Sequence, residues 1–85
     1  MAYNNLGNCY TLLKRHNEAI VVLEKAVHQD SYNMLACFNL AIALKNAKRT
    51  EEAIKTYQKI LEYVPDSYET YNNLGMAYYS LRKRP

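Results

Sequence analysis

Apolar side chains recur every three or four residues along nearly the whole chain, so the pattern is one of successive amphipathic helices. In residues 2 to 14 the spaced set is Tyr3, Leu6, Cys9, Tyr10 and Leu13, with Gly7 inside it. Arg15-His16-Asn17 breaks the pattern, and Asn17 suits the N-cap of a second helix. That helix is predicted from about Glu18 to His28, with Ala19, Ile20, Leu23, Ala26 and Val27 inward. A polar turn, Asp30-Ser31-Tyr32-Asn33, separates it from a third helix beginning near Met34, with Ala36, Cys37, Leu40, Ala43 and Leu44 inward. After Lys48-Arg49, Thr50 is the expected cap of a fourth helix that carries Ala53, Ile54, Tyr57, Ile60 and Leu61 and stops before Pro65. Asp66, with Glu69 three residues on, has the form of a capping box for a fifth helix bearing Tyr71, Leu74, Ala77, Tyr78 and Leu81.

A second regularity lies over the first. Tyr3-Asn4-Asn5-Leu6-Gly7 returns as Tyr71-Asn72-Asn73-Leu74-Gly75, with a degenerate copy midway at Cys37-Phe38-Asn39-Leu40-Ala41. The even spacing is a period of about 34 residues, the mark of a stacked-repeat fold. All three copies keep a small residue at Gly7, Ala41 and Gly75. A glycine within a helix costs about 1 kcal/mol relative to alanine, so close approach of a neighbouring helix is expected there. The expected architecture is all-α: an α-solenoid of antiparallel helix pairs, five helices in a right-handed superhelix. The chain forms one domain, with repeat one at 1–33, repeat two at 34–67 and the first helix of repeat three at 68–85. Ala19, Leu40, Ala53 and Leu74 are predicted core residues.

These positions resemble the tetratricopeptide repeat. The first copy offers Tyr3, Leu6-Gly7, Tyr10, Ala19, Leu23 and Ala26, with Ser31 in place of a closing proline. The second offers Cys37, Leu40-Ala41, Leu44, Ala53, Tyr57, Ile60 and Pro65, and the third Tyr71, Leu74-Gly75 and Tyr78. Cys37 for an aromatic is the largest departure. Two and a half repeats fit an excerpt of a longer array, or a chain whose last helix serves as a cap.

Composition narrows the function. The net charge is +3, yet Arg82, Lys83 and Arg84 account for all of it, because the rest of the chain balances. That is no nucleic-acid footprint, and RNA binding by helical hairpins is the weakest class considered. The only long apolar run, Ala19 to Leu23, is too short to cross a bilayer, so no membrane insertion is expected. Cys9 and Cys37 have neither metal-knuckle nor scaffold spacing and are expected to be buried thiols of an intracellular, cytoplasmic protein. Most of the nine tyrosines fall at positions expected to pack in the core. No catalytic set, cofactor motif or metal site can be assembled, and no enzyme activity is expected.

What the resemblance implies is a concave groove lined by the first helix of each pair. Its candidate peptide contacts are Asn5, Asn8, Phe38, Asn39, Ile42, Asn73 and Met76, among groove-facing positions that also include Asn4, Thr11, Leu12, Leu35, Lys45, Asn46, Glu69, Asn72 and Tyr79. Asn5, Asn39 and Asn73 recur once per period and are similar to the asparagine ladder of the O-GlcNAc transferase superhelix. A primary amide can donate and accept at once, so it can hold both backbone groups of an extended peptide. The clamp that some members close on chaperone C-terminal tails is not matched, since Asn4, Leu35, Glu69 and Asn73 stand where its basic residues belong. The expected partner is thus another protein or peptide. An alternative is self-association into a homo-oligomer through Tyr71, Leu74, Tyr78 and Leu81 of the last helix, stacking on the first helix of another copy.

Overall fold

The computed structural model describes residues 2–30 and 33–83, with side chains from residue 6 onward in the first helix. Among these it contains five helices and no strand: α1 Ala2–Leu12, α2 His16–Gln29, α3 Met34–Asn46, α4 Thr50–Tyr63 and α5 Tyr68–Lys83. Each helix packs on the next in sequence, and α1 also touches α3 directly. The result is a slab of 35 × 28 × 17 Å. No described helix is long and apolar enough to cross a membrane.

The core is the seam between pairs. Ala19, Ile20 and Leu23 of α2, Cys37, Leu40, Ala41, Ala43 and Leu44 of α3, and Ala53, Tyr57 and Ile60 of α4 form one buried cluster. Helix α3 is central and buries residues almost all round, whereas α4 keeps one apolar stripe and turns its charges to solvent. Small side chains set the spacing: Ala19, Ala36, Ala41, Ala43, Ala53 and Ala77 all have zero exposure, so neighbouring backbones come close. Ala19, Ala53 and Leu40 are core as expected, while Leu74 is half-buried against the cluster. Burial lifts the Cys37 thiol above its usual pKa, which makes it a packing residue rather than a nucleophile.

Three expected caps fall elsewhere. Asn17 lies inside α2 and Thr50 is the first residue of α4; Arg15 and Arg49 precede these helices at the cap positions and make no side-chain cap bond. Just before each, Lys14 and Lys48 adopt left-handed backbone, with φ of 61° and 68°. The Arg15 N–H then bonds the Tyr10 carbonyl at 2.9 Å and the Arg49 N–H the Leu44 carbonyl at 2.8 Å, closing a Schellman turn. That turn ends one helix and starts the next almost at once, so the second helix begins earlier than the polar residues suggest. Glu18 and Glu52 sit in the first turns and take the guanidinium forks of Arg15 and Arg49 instead. At α5 the cap is Ser67 rather than Asp66: its Oγ accepts from the Thr70 N–H at 3.3 Å and pairs with the Thr70 hydroxyl at 2.8 Å. At α3 the Asn33 side chain accepts from the Ala36 N–H at 3.1 Å.

Candidate functional site

Helices α1, α3 and α5 occupy equivalent places in successive pairs, so residues one period apart share one register. Asn8, Ile42 and Met76 form one such row; Asn5, Asn39 and Asn73 form the next. Asn8 and Met76 are exposed, and Asn39, Ile42 and Asn73 are half-buried. Asn39 already has an interaction within the chain, which a ligand would have to share or replace. The Asn5 side chain lies outside the described residues. Phe38 is only partly available: its ring stands edge-on to the buried Tyr57 ring, 6.1 Å between centroids, and joins the core. The flanking positions leave more apolar surface than these rows do. Leu12 is 76% exposed, Leu35 61% and Tyr79 63%. Solvating such side chains is unfavourable, and burying a leucine fully gains about 1.5–3 kcal/mol. Thr11 is committed elsewhere, its hydroxyl donating to the Gly7 carbonyl at 2.9 Å within α1.

The four residues assigned to self-association divide into two pairs. Tyr71 and Tyr78 are 53% and 44% exposed. Leu74 and Leu81 are half-buried, because that side of α5 packs on α4. The tyrosine rings are held from behind: the Tyr71 hydroxyl donates to the Pro65 carbonyl at 3.1 Å, and the Gln58 amide donates to the Tyr78 hydroxyl at 3.2 Å. Tyr68, which the helical pattern left in the turn before the last helix, is its first residue and is 80% exposed.

Several packing expectations are therefore corrected. Among the tyrosines with described side chains, only Tyr57 is buried; Tyr10 is half-buried, and Tyr63, Tyr68, Tyr71, Tyr78 and Tyr79 are exposed. Burial pushes the Tyr57 phenol up to about 12. Cys9 is exposed rather than buried, and Leu6 and Leu13 are 42% and 65% exposed, because no described helix covers that side of α1. Gly75 is exposed, and no atom of the described residues stands within 4 Å of where its Cβ would be, unlike Gly7. The signal for the open face was in the sequence: Tyr68, Tyr71, Gly75, Tyr78 and Arg82 follow one another at steps of three and four. Among the described residues no group of three His, Cys, Asp or Glu side chains could hold a metal ion.

Comparison with known proteins agrees with the geometry. The chain is 32% identical over 75 residues to mouse BBSome complex member BBS4, matching 88% of this chain and 14% of that protein. It is 41% identical over 58 residues to the STIP1 homolog of Dictyostelium discoideum, matching 68% of this chain and 10% of that one. The chain thus spans a small part of the length of either relative. Among solved structures, the MamA D159K mutant superposes with a TM-score of 0.86 at 25% identity, over 95% of this chain and 44% of that one. The family model for the tetratricopeptide repeat matches residues 4–79. Helix order, repeat register and family match together show that the chain belongs to the tetratricopeptide repeat family.

Proposed function

We propose that the chain is a non-catalytic protein-interaction module whose α1/α3/α5 face receives an extended or helical peptide. The observation that carries this reading is the mixed surface on that face: exposed Leu12, Leu35, Met76 and Tyr79 beside the amides of Asn8, Asn39 and Asn73. Apolar contact supplies affinity, and amides fix a peptide backbone without demanding a charge. Helix-in-groove and extended-peptide docking both use such a combination. Membership of the family, and the likeness to a named complex member, support the same class of role. A peptide array probed with labelled chain tests it. Peptides that bind the wild type should bind Asn39→Ala at least about tenfold more weakly, a loss of about 1.4 kcal/mol. Equal binding by a variant of unchanged helicity would remove Asn39 from the site.

A second reading is self-association through α5. It is favoured by the exposed Tyr71 and Tyr78 and by the open surface at Gly75. Glutamate at both tyrosine positions should lower the oligomeric mass; a mass unaffected by that double change would dismiss this surface.

A further inference from the structure

Resting on the groove reading, we infer that the partner is a peptide with acidic side chains along one side, seated on Lys14 and Lys48 at the margin where each first helix turns into its second. Both lysines have left-handed backbone, with φ of 61° and 68°, a conformation that strains an L-residue and not glycine. Folding alone would favour glycine at both places. Strain held at two positions one period apart points outward, to a contact that the side chains make with a ligand. Neither lysine has an ion-pair partner among the described residues, whereas the arginines that follow them are neutralised by Glu18 and Glu52. Helix α3 already has Lys45 in its last turn to answer its dipole, so Lys48 is not needed for that. Lys48 also has a repeat before it and α5 after it, and it is exposed all the same. Its exposure is thus a property of the margin and not of an end of the stack. Arg82 keeps positive charge at the same place in the third copy.

The lysines border the groove. Lys14 lines one cleft with Leu12, His16 and Asn46, and Lys48 lines the next with Thr50, Tyr79 and Ser80. Each cleft joins a groove residue, Leu12 or Tyr79, to a turn lysine. Helices α1 and α3 touch, and packed helices lie about 8–10 Å apart, which sets the separation of the two turns. A peptide in the polyproline II form advances about 3.1 Å per residue with about three residues per turn, so every third side chain returns to the same side after about 9 Å. Acidic residues at every third position therefore meet successive lysines. Such a backbone has no internal hydrogen bonds, which leaves its N–H and C=O groups for the Asn39 and Asn73 amides. Charge fixes the side as well, because the loops at the other ends of the helices contain Asp30 and Asp66, which repel an acidic chain. A nucleic acid fits less well: Glu18, Glu51 and Glu52 stand in the first turns just after the lysines and would oppose a continuous row of phosphates.

The probes are labelled peptides of about twelve residues, long enough at about 3.1 Å per residue to span the slab. Their background is proline, leucine and serine. One has glutamate at every third position, one has glutamine at the same places, and one has the same glutamates grouped at one end. Fluorescence anisotropy at low salt reads the binding. The spaced glutamate peptide should bind the wild type at least about tenfold more tightly than the glutamine peptide. Lys14→Gln with Lys48→Gln should remove that advantage at unchanged helicity, and Lys14→Arg with Lys48→Arg should keep it. Equal binding of the glutamate and glutamine peptides, or an advantage that survives the double glutamine change, would overturn the inference and leave the groove reading standing. Grouped glutamates that bound as well as spaced ones would overturn the match to the period, and with it this seating. No binding of any peptide would end both the inference and the groove reading. An oligouridylate that bound more tightly than the spaced peptide, and lost its binding with the two lysines, would give the margin to RNA instead.

Discussion

The chain contains the segment Tyr-Asn-Asn-Leu-Gly twice, and the two copies fold into opposite surroundings. At Gly7 a Cβ would stand 2.4 Å from Leu23 Cγ, so the leucine of α2 occupies the space that glycine leaves. At Gly75 the same space is open. The side turned toward the preceding pair is reversed: Cys9 is exposed, while Ala77, in the same register, is fully buried against α4. Identical local sequence thus gives a half-covered helix in both cases, but covered on opposite sides. Burial in a stacked array belongs to the position in the stack, and each helix needs a neighbour on both sides to hide its apolar residues.

The largest test compares one register across three helices. Leu40, in the central α3, is 8% exposed, Leu74 is half-buried and Leu6 is 42% exposed. Leu40→Ala should cost about 2–5 kcal/mol, with Leu74→Ala less and Leu6→Ala least, read from urea unfolding. Equal costs at the three sites would mean that the register does not set burial.

The glycines give a test in which the sign changes. Gly7→Ala forces its methyl onto Leu23 and should destabilise by about 1–3 kcal/mol, less what better helix propensity returns. Gly75→Ala meets nothing and should stabilise by about 0.5–1 kcal/mol. Melting temperatures that moved in the same direction would contradict the difference between the two ends.

How far the sequence alone could go follows from the same contrast. Period and hydrophobic spacing made five helices and their order legible, and they identified Ala19, Ala53 and Leu40 as core because those positions have neighbours on both sides. The same spacing mistook Cys9 and most of the tyrosines for buried residues. A helical pattern shows which face is apolar; it does not show whether anything covers that face. The helix starts failed for a different reason. Asn17, Thr50 and Asp66 are all good capping residues, but the Schellman turns at Lys14 and Lys48 and the Ser67 hydroxyl fixed the starts first. The registers Asn8/Ile42/Met76 and Asn39/Asn73, on which the proposed peptide site rests, follow from the period alone, whereas the core role of Phe38 depends on the Tyr57 ring, which a different helix supplies.

The turns extend the comparison to a third register. Lys14, Lys48 and Arg82 fall one period apart, yet only the two lysines have left-handed backbone, and Arg82 remains inside α5. An L-residue held at positive φ is strained, and glycine is not. Lys48→Gly should therefore stabilise by about 0.5–1 kcal/mol, whereas Arg82→Gly should weaken the end of α5 by a similar or smaller amount. Thermal melts of the two variants check the opposite signs.

The smallest expected effect concerns the ion pair that follows the turn. Arg49 holds the Glu52 carboxyl below its ordinary range, chiefly through their hydrogen bonds, with the guanidinium charge adding to it. The unfolded chain binds that proton more readily than the folded one. The pair therefore adds stability above the ordinary carboxylate value, and that stability is lost as pH falls through the lower folded value. Glu52→Gln should reduce stability slightly at neutral pH and match the wild type in strong acid, where the wild-type carboxyl is protonated too. Both residues are exposed, so the neutral-pH difference should also shrink in about 1 M salt, where the screening length is about 3 Å. A gap between wild type and variant that persisted in strong acid would assign the role of Glu52 to packing rather than charge. A gap that persisted in high salt would mean that the Arg49–Glu52 fork is shielded from solvent more than its exposure indicates.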